Sequence, residues 1–228
     1  MAAPEPAEGF LAIDSSSAQA GVALLSGGRV ASLAWNAGRS HTVSLLPQVH
    51  RLLDLHEKPV SALGGIAVAL GPGAFTGLRV GLSLAKGLSF ALDLPLVGVS
   101  TLEATALPFL AADRLVVATV AAGRGRLAWA SYERGPDGLP RPVAPPRNAT
   151  LPEMLDALAR LERRCLIVGE LPADIDRSTS ILPDAEVIPA LLGLRRPEAI
   201  LALALPMFGT DLANAPGPLE PIYLGRDG

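Results

Sequence analysis

The sequence predicts an α/β protein built as two lobes with mixed sheets. Three observations lead there. The chain begins with an antiparallel strand meander, continues with helices and strands in alternation, and restarts the same order near residue 115. Alternation after a meander adds parallel strands to an antiparallel set. With 228 residues, half of them hydrophobic and 18% charged, the chain is long and apolar enough for one large or two small cored domains.

The start, MAAPEPAEGF, lacks the basic and apolar regions of a signal peptide, so residues 1–9 are expected to be a flexible tail. The meander follows. Phe10 to Asp14 reads as a strand, Ser15-Ser16-Ser17 as a turn, and Gly21 to Leu25 as a second strand. Ser26-Gly27-Gly28 turns again into an alternating strand over Val30 to Trp35. Asp14 has two readings: a metal or phosphate carboxylate, or a side chain capping the serine-rich turn.

Residues 41–56, HTVSLLPQVHRLLDLH, read as a helix with Leu45, Leu46, Val49, Leu52 and Leu53 on one apolar stripe. Pro47 is tolerated in the first turn if Ser44 is the N-cap, and disturbs the helix if Ser40 is. His41, His50 and His56 are separated by nine and six residues, so no pair stands one turn apart to hold a metal. Solvated or capping roles are expected for all three.

Ile66 to Leu70 is a short apolar run between glycines, as suits a strand covered on both faces. A Gly71-Pro72-Gly73 turn leads into a long helix that Thr76 is placed to cap. Arg79 and Lys86 fall within about 20° of each other on it, at 100° per residue. Leucines take most of the rest, as in a buried helix. Gly77, Gly81, Ala85 and Ser89 recur every four residues as a seam of small side chains. The seam can pack on the protein's own sheet, face a partner helix, or approach a ligand. The turn is not a dinucleotide fingerprint, since Thr76 stands where the third glycine belongs, and no G-K-[ST] follows for a Walker loop.

Leu96 to Val99 is a strand, and Ser100-Thr101 caps a helix over Leu102 to Leu110. Strands over Leu115 to Ala121 and Leu127 to Tyr132 are joined through Gly123-Arg124-Gly125. A loop from Gly135 to Pro146 precedes a helix over Pro152 to Arg163, then a strand from Cys165 to Val168, and Pro197 starts a last helix to about Leu205. The lobes are expected over 10–107 and 108–228, the second one reduced.

Net charge is −3, with two lysines and 4% aromatic residues, so no basic footprint or stacking platform for unaided nucleic-acid binding is visible. No apolar run reaches the roughly 18 residues of a membrane span; Ala199 to Phe208 is short and holds Pro206. The one cysteine, Cys165, reads as a buried thiol in a reducing compartment, which points to the cytoplasm.

The stretches IDSSSAQAGVAL, SHTVSLLP, GPGAFTGLRVGLSLAKGLSFAL and PLVGVSTLEA, in that order, resemble the TsaB (YeaZ) family, part of the bacterial machinery that makes threonylcarbamoyladenosine in tRNA. The likeness covers about residues 10–107 well, and the second lobe loosely through LAWASYER and PIYL. It implies an actin/sugar-kinase/Hsp70-like fold of two ribonuclease-H-like lobes. In the catalytic paralogue, TsaD, the segment after the Gly-Pro-Gly helix carries two metal-holding histidines. Here it reads Val99-Ser100-Thr101-Leu102-Glu103-Ala104-Thr105, and Ser, Thr and one Glu do not replace an imidazole pair. The Ala121-Ala122-Gly123-Arg124 turn lacks the family's acid, and the close reads Tyr223-Leu224-Gly225-Arg226 in place of YLR.

The resemblance therefore implies a non-catalytic subunit without cofactor, metal or catalytic residue. It would pair with TsaD, with the ATPase TsaE joining, for threonylcarbamoyl transfer to N6 of the adenosine beside the anticodon in tRNAs reading codons that start with A. Contact with tRNA would come only through the complex. The family's docking surface carries over to Leu45, Leu46, Val49 and Leu53 on the first helix and Gly77, Leu78, Gly81, Leu82 and Ala85 on the second. Such a patch on a lone chain favours homodimerisation. Gly81→Leu or Leu46→Arg is expected to abolish docking and leave the lobe folded. The rival readings are an ATP-dependent phosphotransferase using Asp14 and the Gly71–Gly73 turn, and a homodimeric binding module unrelated to tRNA. A metallopeptidase would need an H-E-x-x-H or other histidine pair, which the sequence lacks.

Overall fold

The computed structural model describes residues 9–38, 40–111, 113–172, 175, 184–210 and 219–225. The tail expected over 1–9 lies outside the described residues except for Gly9, which opens the first strand. The meander is present as β1 (Gly9–Asp14), β2 (Gln19–Ser26) and β3 (Arg29–Asn36), paired antiparallel in chain order. Helix α1 (His41–Leu55) leads to β4 (Leu63–Gly71), α2 (Phe75–Leu92) and β5 (Leu96–Ser100). The sheet order is β3-β2-β1-β4-β5, with β4 parallel to β1.

The second sheet repeats this plan. Strands β6 (Leu115–Gly123) and β7 (Arg126–Arg134) form an antiparallel hairpin whose turn places Arg124 and Gly125 at positive φ, as two-residue hairpin turns require. On the other side of β6 lies β10 (Cys165–Gly169), parallel to it, then β11 (Ala185–Val187). In both sheets the first strand sits inside, with its hairpin partner on one flank and a parallel strand on the other. This is the two-lobed α/β class with mixed sheets that the resemblance implied.

Three strands were not anticipated. β8 (Pro140–Pro142) comes from the Pro- and Gly-rich loop, β9 (Arg147–Thr150) follows it directly, and both take the free edge of β7. Proline is tolerated at such an edge because it needs no ladder N–H. β11 is also an edge strand, too short to leave a periodic signal. Helix α3 (Thr101–Ala106) is shorter than expected and continues as a single 3-10 turn over Leu107–Phe109. Helix α4 (Leu151–Ala159) begins at a capping box: Glu153 N donates to Thr150 Oγ1, and Thr150 N donates to Glu153 Oε2 at 2.7 Å.

The chain forms two compact units, and neither follows the expected cut at 107/108. The first comprises 1–70, 75–99 and 196–221; the second holds 71–74, 100–195 and 222–228. Helix α5 (Pro197–Ala204), read in sequence as part of the second lobe, belongs to the first. The reason is a sheet with two faces to cover. Leu11, Ile13, Val22 and Leu24 face α1 and α2, in a core with Leu45, Val49, Leu52, Leu82 and Ala85. The alternate residues need their own cover. Pro197 occupies the space a side chain at Gly21 would take, and Phe208 stacks on Phe10 at 4.8 Å between ring centres. The Ser32 hydroxyl donates to the Glu198 carboxylate at the start of α5. Among the described residues, no helix is long and apolar enough to cross a membrane.

Candidate docking face

Both helices of the expected docking surface start where the β1–β2 turn meets them. Asp14 ends β1 and accepts from Ser16 N at 2.9 Å and Ser16 Oγ at 2.6 Å. Its carboxylate thus takes the turn-capping role. Ser40 is the N-cap of α1, without a side-chain cap bond, so Pro47 stands inside the helix on its exposed side and leaves the Val43 carbonyl without its helical donor. Helix α2 begins at Phe75, so Thr76 lies within its first turn instead of capping it.

Two of the three histidines depart from expectation. His50 is exposed, but His41 is buried with Nε2 2.8 Å from the Ser17 carbonyl. A carbonyl only accepts, so Nε2 carries the proton. His56 is buried at the C-cap of α1, and among the described residues neither ring nitrogen has a hydrogen-bond partner. Burial, and then the charge of Arg29, lowers its pKa from the ordinary histidine value.

Of the nine residues assigned to the docking surface, Leu46 alone is exposed, at 40%. Leu45, Val49, Leu53, Leu82 and Ala85 lie in the first unit's own core, and Leu78, Gly77 and Gly81 are also buried. The first half of the small-residue seam, Gly77 and Gly81, packs on the chain's own turn. A Cβ on Gly77 would overlap the Ser15 carbonyl, and one on Gly81 would overlap Ser15 Oγ. Gly81→Leu therefore has no room in the folded lobe, and the expectation that it would spare the fold is corrected.

The outward faces of the same two helices carry a different set. Phe75, Arg79, Ser83, Lys86 and Phe90 are exposed on α2 and fall within an arc of about 80° at 100° per residue. Phe90 is 92% exposed and Phe75 54%. The Arg79 guanidinium lies over the Phe75 ring, 3.7 Å from its centre. Between α1 and α2 runs a groove of about 590 Å³, whose walls include Thr42 and Leu46 on one side and Phe75, Arg79, Val80 and Leu84 on the other. A signal for this set was present: Arg79 and Lys86 mark the outward arc, and both phenylalanines fall inside it.

In the second unit, Ser100 Oγ accepts from Glu103 N as the N-cap of α3 and Thr105 Oγ1 donates to the Thr101 carbonyl at 2.8 Å. Burial raises the pKa of Glu103. Burial, the nearby Asp184 charge adding to it, raises that of Cys165, a free thiol. A raised thiol pKa keeps the sulfur protonated and unreactive.

Comparison with known proteins gives a consistent result. A family model described as tRNA N6-adenosine threonylcarbamoyltransferase, TsaD, matches residues 33–164. The tRNA threonylcarbamoyladenosine biosynthesis protein TsaB of Bacillus subtilis is 32% identical over 96% of this chain and 87% of its own length. Its namesake in Escherichia coli is 31% identical over 94% of each. The solved structure of YeaZ from Pseudomonas aeruginosa matches with a TM-score of 0.75 and 29% identity, covering 95% of this chain and 100% of that one. On sequence and fold alike, the chain belongs to the TsaB (YeaZ) family.

Proposed function

We propose that this chain works in the biosynthesis of threonylcarbamoyladenosine in tRNA as an accessory subunit that performs no chemistry. It docks on TsaD through the outward faces of α1 and α2, TsaE joins the assembly, and the chain meets tRNA only there. The reading places it in the cytoplasm. Alone, it pairs with a second copy through the same face.

The observation that carries this is the groove between α1 and α2, with Leu46 and Phe75 at its walls and Phe90 beyond. Exposed large apolar side chains concentrated on one face mark an interaction surface. The chemistry of the turn agrees. The Asp14 carboxylate and the Ser15 hydroxyl are engaged in internal hydrogen bonds, as a structural turn requires.

The test is Leu46→Asp, made in the full chain and co-purified with TsaD from the same organism, with threonylcarbamoyladenosine in bulk tRNA read by nucleoside mass spectrometry. Loss of both co-purification and the modified nucleoside, with an unchanged circular dichroism spectrum, is expected. A Leu46→Asp chain that pairs and supports modification like the parent overturns the docking face.

A further inference from the structure

We infer that the β1–β2 turn is a clamp that sets the spacing of the two groove-forming helices, with Ser15 and His41 as its positioning residues. The inference rests on the docking reading above. One turn grips both helices at their starts. Ser15 Oγ donates 2.7 Å to the carbonyl of Gly77 in the first turn of α2. Two residues along, the Ser17 carbonyl accepts from the ring of His41, the first residue of α1, at 2.8 Å.

The three segments converge on one point. A Cβ on Gly77 would overlap the Ser15 carbonyl and would also lie 3.7 Å from His41 Nε2. Ser15, Ser17, His41 and Gly77 are all buried, so each bond holds polar groups that water cannot serve. Breaking such a bond removes a buried tie between the turn and a helix start, which frees that start to shift. The turn is stiffened in its turn by the Asp14–Ser16 bonds.

The groove begins at these anchors. Thr42 follows His41 directly and Leu46 lies just over a turn beyond. Thr76 and Arg79 flank Gly77. A rotation or slide of either helix start moves these side chains first. The small-residue seam of α2 thus serves docking indirectly: Gly77 and Gly81 form the notch that receives Ser15, and the notch sets where the opposite face stands.

The test places spin labels at His50→Cys on α1 and Lys86→Cys on α2, both exposed positions, in a Cys165→Ser background, and reads the label–label distance distribution. Affinity for TsaD is measured on the same clamp variants made without labels or cysteine replacements, because Lys86 stands on the docking face. His41→Leu is expected to shift or broaden the distance and weaken binding by about tenfold or more, with helical content retained. His41→Gln keeps an N–H donor at the same reach and is expected to restore both readouts. If His41→Leu does not fold, Ser15→Ala, which deletes a single hydroxyl, carries the same test. A folded variant with the parental distance and affinity overturns the clamp. Leu46→Asp separates the two readings, since it should lose binding at an unchanged distance. If Leu46→Asp still binds, the docking face falls, and the distance alone then decides the clamp.

Discussion

Ser15 and Gly77, sixty-two positions apart in the chain, are joined by a buried 2.7 Å hydrogen bond from hydroxyl to backbone carbonyl. The bond exists because α2 has no side chain where the turn enters it. Gly81, one helical turn further on, clears the space around Ser15 Oγ.

Gly81→Ala sets two effects against each other. Alanine is favoured over glycine inside a helix by up to about 1 kcal/mol. Overpacking a filled site costs about 1–3 kcal/mol, and here the neighbour is a buried hydroxyl already committed to a bond. Overpacking is expected to win, so the variant loses stability in urea denaturation. In a Ser15→Ala background the same substitution should recover most of that loss. Equal effects in both backgrounds would mean that Ser15 is not the obstacle.

Leu45 and Leu46 are adjacent in sequence and opposite in consequence. Leu45 is 1% exposed, in the core under β2, and Leu46 is 40% exposed at the groove. Leu45→Ala is expected to cost about 2–5 kcal/mol. Leu46→Ala should stay within about 0.5 kcal/mol in denaturation, as surface changes do, yet weaken association of the full chain. Equal destabilisation by the two variants would place Leu46 in the interior.

His56 makes stability depend on pH. Its folded pKa is lowered, by burial first and the Arg29 charge second. The unfolded chain therefore takes up a proton near the ordinary value while the folded chain does not. Stability from this group is complete above that value and declines as pH falls from about 6.5 toward the lowered folded value. His56→Leu should flatten the decline between pH 7.5 and 5.5 in parallel urea titrations. An unchanged slope would assign the dependence to other groups.

Ile200 is fully buried in α5, which covers the first sheet from its second face. Ile200→Ala is expected to cost about 2–5 kcal/mol and, by native-state hydrogen exchange, to lower protection in β1 and β2. Loss confined to β6 and β7 would place α5 with the other unit.

Much of this was legible in the residues themselves. Apolar runs bounded by turns gave β1 and β2, alternation gave β3, the apolar stripe gave α1, and the Gly-Pro-Gly motif gave both α2 and, with its neighbours, the family. Short edge strands were not legible: β8 and β11 each span three residues, less than any pattern needs to repeat. Nor was the burial of His41, which depends on a carbonyl supplied by a turn that is distant in sequence.

Sequence alone determined the local elements, the alternation that makes two mixed sheets, and membership of the family. Tertiary structure alone decided that Leu46 leaves the buried stripe of α1, that the small-residue seam of α2 faces inward, and where the last helix belongs. Periodicity sets the angle between two residues on a helix, but α2 is apolar around most of its circumference, so Arg79 and Lys86 mark the outward arc and leave the facing of the seam open. Contact with Ser15 turns Gly77 and Gly81 inward, and the uncovered second face of the first sheet draws α5 back from the far end of the chain.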